Sequence, residues 1–94
     1  MAQNTTITLA AETWTQLTDA DVTSITFQNK GGFHMFVAGT TDATAPTNFD
    51  NALRYNPGQG ERNVSMSDLF PGLTGADRVY AYAANSVDVF VSHA

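Results

Sequence analysis

The feature that most constrains the fold of this chain is a two-residue alternation of apolar side chains, which recurs in short stretches. Ile25 and Phe27 show it, and so do Phe33, Met35 and Val37. Successive side chains of a β-strand leave opposite faces of the sheet, so this period is typical of strands and differs from the 3.6-residue period of a helix. Since no stretch carries the helical period over a useful length, we expect an all-β fold.

The composition favours the same fold class. The chain contains 13 threonines but only one lysine and two glutamates, which disfavours helices and favours strands joined by turns. Its length of 94 residues suits one domain, so we assign residues 1–94 to a single β-rich domain. Because the chain has no cysteine, disulfides do not support its core.

The positions of the predicted strands follow from the alternation and from the turn residues between them. Trp14 is expected to be the large anchor of the core. A hairpin turn is expected at residues 29–32, because Asn and Gly tolerate a positive φ, and a second hairpin is expected over residues 78–92. With about seven or eight strands, the fold class is a small antiparallel β-sandwich or barrel. The predicted strands are residues 6–9, 12–17, 22–28, 33–38, 61–66, 78–83 and 87–92.

Three segments depart from the strand pattern. Residues 1–5 are predicted to be a flexible N-terminal arm, because free termini are usually mobile. Residues 40–56 are polar, contain Pro46 and lack a sustained period, which predicts a long irregular loop with one short element. Ser67 or Asp68 is expected to cap a single helical turn.

The predicted strands also carry aromatic residues on the face opposite the presumed core. Exposed apolar patches mark interaction sites, and aromatic residues are enriched there. Alternatively, the loop of residues 40–56 covers these rings and forms a second small core with them. Both interpretations stay open, and a one-residue bulge would invert the two faces. The candidate interface residues are Phe36, Tyr80, Tyr82 and Phe90, with Arg54 and Arg62 as candidate partners for carboxylates.

The sequence predicts neither catalysis nor a cofactor or metal. Ser92 and His93 are adjacent in a predicted strand, so their side chains leave opposite faces and do not converge as a nucleophile and its base must. Asp19 and Asp21 are separated by one residue and could both supply oxygen ligands to calcium, but a calcium site requires further oxygen ligands. The net charge of −5 disfavours nucleic acid as a partner. No apolar stretch approaches the roughly 18 residues of a membrane span, and the first ten residues lack the pattern of a signal peptide.

Four segments resemble small virion proteins of tailed bacteriophages. They are a threonine-rich start with Trp14 and Leu17, then ITFQNKGG followed by an aromatic-aliphatic strand, then SDLFPGLTGADRVYAYA, and finally VDVFVS. The resemblance covers nearly the whole chain, and its motifs are structural rather than catalytic.

The resemblance implies a head decoration, or cement, protein. Such a protein is made in the host cytoplasm, binds the outer surface of the phage head through the major capsid protein, and is commonly a homotrimer where capsomers meet. Two further roles stay open: a virion module that binds a host receptor or glycan, and a structural component of the tail or neck.

Overall fold

The computed structural model describes residues 2–19 and 21–94, and this part of the chain forms eight strands and one short helix. The helix has four residues and is too short to cross a membrane. In chain order the elements are β1 (Gln3–Leu9), β2 (Thr15–Gln16), β3 (Ser24–Asn29), β4 (Met35–Thr40), β5 (Leu53–Tyr55), β6 (Gly60–Ser65), α1 (Met66–Leu69), β7 (Arg78–Tyr82) and β8 (Val87–His93).

The strands form two four-stranded antiparallel sheets that pack face to face. Sheet A has the order β1-β8-β3-β6, and sheet B has the order β2-β7-β4-β5. This order is that of an eight-stranded jelly roll, a sandwich rather than a closed barrel. The predicted fold class, a small antiparallel β-sandwich, is confirmed.

The two predicted hairpins are wrong. β3 and β4 lie in different sheets, and so do β7 and β8, so each connection crosses from one sheet to the other. At residues 29–32 no positive φ is found, whereas a tight two-residue hairpin turn requires one. The alternation could not separate the two possibilities, because both place every second residue of each strand in the core.

Asn29 holds the first of these crossings. Its side chain is fully buried, and its amide nitrogen donates hydrogen bonds to the carbonyl oxygens of Phe33 (2.8 Å) and Tyr55 (3.2 Å). Its side-chain oxygen accepts a hydrogen bond from the backbone N–H of Gly31 (3.0 Å). One side chain therefore connects the end of β3, the crossing itself, the entry to β4 and the end of β5.

The core lies between the sheets and consists mainly of aliphatic side chains. Phe27 is its fully buried aromatic residue, and the ring of Tyr55 meets it edge-on with centroids 5.0 Å apart. Trp14 was expected in this core and is not part of it, because it precedes β2 and lies on the outer face of sheet B. The larger fully buried apolar residues besides Phe27 are Leu9, Leu17, Ile25, Met35, Val37, Val79, Val87, Val89 and Val91.

The segments predicted as a flexible arm and as a long loop both contribute residues to strands. Residues 3–5 are not a free arm, because they belong to β1 and pair with β8, with Gln3 opposite His93. Met1 lies outside the described residues. Within residues 40–56, residues 53–55 join sheet B as β5, which is the one short element expected in that segment. The cap of α1 is Ser65, whose hydroxyl accepts a hydrogen bond from the N–H of Asp68, rather than Ser67 or Asp68.

We predict that Asn29→Ala lowers the free energy of unfolding by about 3 kcal/mol, because it removes the three hydrogen bonds of a fully buried side chain. Urea unfolding followed by circular dichroism measures the change. Asn85→Ala, at an exposed position before β8, is the matched control and should change stability by less than about 0.5 kcal/mol. Equal effects of the two substitutions would contradict the role assigned to Asn29.

The surroundings of Tyr55 predict how the stability of the protein depends on pH. Burial first, then the nearby carboxylate of Glu61 and the 3.1 Å hydrogen bond to it, raise the pKa of Tyr55 well above its ordinary value. Above about pH 10 the unfolded chain therefore loses this proton while the folded chain keeps it, so stability falls as pH rises. Tyr55→Phe should flatten this alkaline decrease, and unfolding curves at pH 8 to 11 measure it. If stability decreased as steeply in the variant, groups other than Tyr55 would be the cause of the decrease.

Candidate protein-interaction surface

Four aromatic rings meet on the outer face of sheet B. Phe36 of β4 lies directly opposite Tyr82 of β7, so both side chains leave the same face of the sheet. Trp14, just before β2, packs on Tyr82 with ring centroids 5.4 Å apart. Phe49, from the loop between β4 and β5, completes the group. We call Trp14, Phe36, Phe49 and Tyr82 the aromatic patch.

Phe49 is the centre of the aromatic patch. Its ring centroid lies 4.9 Å from that of Phe36, 4.8 Å from that of Tyr82 and 5.6 Å from that of Trp14. These distances fall in the range in which aromatic pairs attract each other. Phe49 nevertheless remains 44% exposed, while its three neighbours are half-buried. The four rings therefore pack against one another, and the patch still presents apolar surface to the solvent.

The loop that carries Phe49 is held by short turns and by contacts with sheet B. The hydroxyl of Thr40 donates to the carbonyl oxygen of Asp42 (2.7 Å), and the carboxylate of Asp42 accepts from the N–H of Thr44 (2.8 Å). Further along, the side-chain oxygen of Asn48 accepts from the N–H of Asp50 (3.1 Å). These bonds give a polar, irregular segment a defined path, and that path places Phe49 on the sheet.

Tyr80 lies under this loop and is not part of the exposed surface. It is only 5% exposed, and its hydroxyl lies 2.7 Å from the carbonyl oxygen of Ala43 and 3.0 Å from the side-chain oxygen of Gln16. The hydroxyl donates to one of these oxygens. For Tyr80 the alternative interpretation, a ring covered by the loop, is the one that the structure bears out.

Arg54 gives the edge of the aromatic patch a positive charge. It lies opposite Phe36 in the pairing of β4 with β5, so its side chain leaves the same face. Its Nε donates to the side-chain oxygen of Asn56 at 3.3 Å. In the described part of the chain, the ion pairs formed with carboxylates involve Arg78, with Asp21 and Asp77, and not Arg54. The Arg54 guanidinium therefore has donors available for a carboxylate of a partner.

Phe90 and Arg62 do not join this surface, although the sequence grouped them with it. They lie on sheet A, where Phe90 is half-buried beside a shallow depression of about 320 Å³ that is also lined by Arg62, Glu61 and Gln28. The six candidate interface residues therefore divide into three sets. Phe36, Tyr82 and Arg54 are together on sheet B, Tyr80 is beneath the loop, and Phe90 and Arg62 are on the opposite side of the sandwich.

Sequence reasoning missed two members of the patch. Trp14 was assigned to the core, and Phe49 was not among the candidate interface residues. For Trp14 a signal was present, because Gln16 shares its face in an extended segment and a polar neighbour indicates an outer face. For Phe49 no local signal exists, since the path of the loop depends on sheet B.

The residues examined for catalysis or metal binding are not brought together. His93 is buried, and its Nε2 accepts a hydrogen bond from the N–H of Asp19 (3.1 Å), while Ser92 leaves the other face of β8. The carboxylate of Asp88 accepts from the Thr8 hydroxyl (2.7 Å), and that of Asp21 binds Arg78 (2.9 Å). Among residues 2–19 and 21–94, no three His, Cys, Asp or Glu side chains are grouped to hold a metal ion.

Comparison with known proteins yields no match to a family model, to a curated protein or to a solved structure. The jelly-roll fold and the aromatic patch are therefore the features of the molecule that bear on its function.

We predict that Phe49→Ala lowers the free energy of unfolding by about 1 to 2 kcal/mol, because nearly half of its ring is already in water. Phe27→Ala removes a fully buried ring and should cost about 3 to 5 kcal/mol. Urea unfolding measures both, and the emission of Trp14, the one tryptophan of the chain, should shift to longer wavelength in Phe49→Ala. A cost for Phe49→Ala as large as that for Phe27→Ala would make the patch a second core rather than a contact surface.

Proposed function

We propose that the protein is a structural virion protein that decorates the outside of a tailed-phage head, contacts the major capsid protein and stabilises the expanded capsid. The observation that carries the proposal is the partly exposed aromatic patch with Arg54 at its edge. The identity of the partner is supported by the resemblance of four sequence segments to small phage virion proteins. Jelly rolls are common in viral capsid domains, but lectins and enzymes share them, so the fold alone does not set the function.

The aromatic patch has the properties of a docking surface for a folded protein. Aromatic and arginine side chains carry much of the binding energy in protein interfaces, and the strongest contributors lie near the centre of the contact. Phe49 has that central position, and its exposed ring would lose its water on binding. Arg54 would add a charge-assisted, two-point hydrogen bond to a carboxylate of the capsid surface. The aromatic patch, with its neutral, apolar centre and one cation at its edge, therefore fits a site on the capsid surface that is acidic and partly apolar.

The mechanism of the proposed stabilisation is mass action. A protein that binds the expanded lattice and not its separated subunits lowers the free energy of the assembled state, and each occupied site adds to the effect. A site that spans two or more capsid subunits links them as well, because both contacts must break before the subunits separate. No chemical step is required of the decoration protein.

The test is co-sedimentation of the purified protein with empty expanded heads. We expect saturation at a stoichiometry related to the capsid symmetry, and weaker binding of Phe49→Ala by about tenfold or more. Phe90→Ala, an aromatic truncation on the opposite sheet, is the matched control and should bind like the unchanged protein. Failure to bind heads, or equal losses in the two variants, would contradict the proposal, and binding to isolated tails instead would place the protein in the tail or neck.

A second candidate function is recognition of a host glycan. The residues next to Phe49 in the chain, Asn48 and Asp50, carry hydrogen-bonding groups beside an exposed ring, as sugar sites do. Against this, the ring planes of Phe49 and Tyr82 meet at 70° and those of Phe49 and Phe36 at 41°, so the rings cover one another and leave no flat platform. Binding to a saccharide array that is lost in Phe49→Ala would favour the glycan function over the capsid function.

A further inference from the structure

We propose that two copies of this chain associate through β1, so that their A sheets join into one continuous eight-stranded sheet. β1 is the outer strand of sheet A and pairs with β8 along all seven of its residues. Among the described residues, no hydrogen bond outside this pairing reaches the backbone of residues 3–9. The other side of β1 therefore presents N–H and C=O groups in the geometry that a further strand requires.

β1 lacks the features with which proteins protect an open sheet edge. Its sequence, QNTTITL, contains no charged residue, no proline and no glycine. Its pairing with β8 is uninterrupted, so no bulge twists the strand away. Exposed side chains lie on both faces of the strand, at Asn4, Thr5, Thr6 and Thr8. The edge is therefore accessible to another strand. A regular, neutral strand of this length is a template for pairing with another strand.

The other three edges of the sandwich are protected. β6 carries Glu61 and Arg62, has Asn63 in the left-handed region at φ 47°, and shows a register shift against β3. β5 is three residues long and carries Arg54, and β2 is two residues long. Charge, irregularity and shortness are the usual means of preventing edge pairing. The open edge that a second copy offers to β1 is therefore its own β1, and such a like-to-like contact closes at two copies.

The properties of β1 suit a second copy of an acidic chain. Each chain carries a net charge of −5, but β1 itself is neutral, so the two copies meet where charge repulsion is weakest. Asp88, the acidic residue opposite Thr8, is engaged by the Thr8 hydroxyl at 2.7 Å. Threonine pairs across antiparallel strands stabilise the pairing of the strands. Ile7, half-buried at the edge of the core, would gain cover from the neighbouring copy.

The proposal is independent of the aromatic patch, which lies on the outer face of the other sheet. It also differs from the trimer that the resemblance to phage proteins implies. The molecular mass in solution therefore separates the two assemblies.

The test is sedimentation equilibrium of the full chain between about 1 µM and 1 mM, a range that covers weak and moderate dimers. We expect the mass to rise toward that of two chains. Thr6→Lys should weaken association about tenfold or more, because a lysine on an edge strand opposes pairing and two of them near the dimer axis repel. Thr74→Lys makes the same change of charge at an exposed threonine outside the strands and should leave the mass unchanged.

Amide hydrogen exchange gives a second measurement that does not depend on a variant. In the unchanged protein, amides of residues 3–9 that are fast at low concentration should slow at high concentration. A monomer at every concentration, a trimer, or equal behaviour of Thr6→Lys and Thr74→Lys would overturn the proposal. So would a dimer that is lost in Phe49→Ala and kept in Thr6→Lys, because it would place the contact at the aromatic patch. A monomer whose binding to phage heads is lost in Thr6→Lys would assign the edge to an extended segment of another protein instead.

Discussion

The buried amide of Asn29 lies where the chain leaves sheet A and enters sheet B, and the arrangement of both sheets depends on that crossing. A side chain with two donors and one acceptor in use, none of it exposed, is stable only where the surrounding backbone supplies matching groups. Those groups belong to Gly31 and Phe33 in the crossing and to Tyr55 at the end of β5. The backbone of Asn29 extends the connection further, since its N–H donates to Gln59 (2.9 Å) and its carbonyl oxygen accepts from Gly58 (2.8 Å), both just before β6.

The crossing also decides which residues meet in the core. Because β3 and β4 lie in different sheets, Phe27 faces the residues of sheet B rather than standing beside them. Its ring meets that of Tyr55, whose strand is placed by the same amide. A hairpin at residues 29–32 would have put β3 and β4 side by side and left the second layer without one of its two central strands.

The two outer faces of the sandwich differ, and this difference is the basis of the proposed function. On sheet A one of the two central strands, β8, presents Asp88, Phe90 and Ser92 on its outer face, and the two polar residues suit contact with water. On sheet B the outer residues of β4 and β7 include Phe36, Tyr80 and Tyr82, and a polar loop covers Tyr80 while adding Phe49. Exposed apolar patches mark interaction sites, so the exposed aromatic area of the patch is the basis on which an interaction is proposed.

The sequence by itself determined the fold class, the approximate positions of most strands and the irregular character of the segment after β4, because the two-residue period and the turn residues are local properties. It did not determine which strands share a sheet, so the crossings were predicted as hairpins and Phe90 was grouped with Tyr82. It also placed Trp14 in the core and left residues 3–5 without a partner. Those questions depend on strands far apart in the chain, such as β1 with β8 and β2 with β7, whose pairing no local period records. Only the tertiary structure decided that Tyr80 is covered by the loop while Phe36 and Tyr82 pack around an exposed Phe49, because the cover comes from a segment whose path the sheet itself sets.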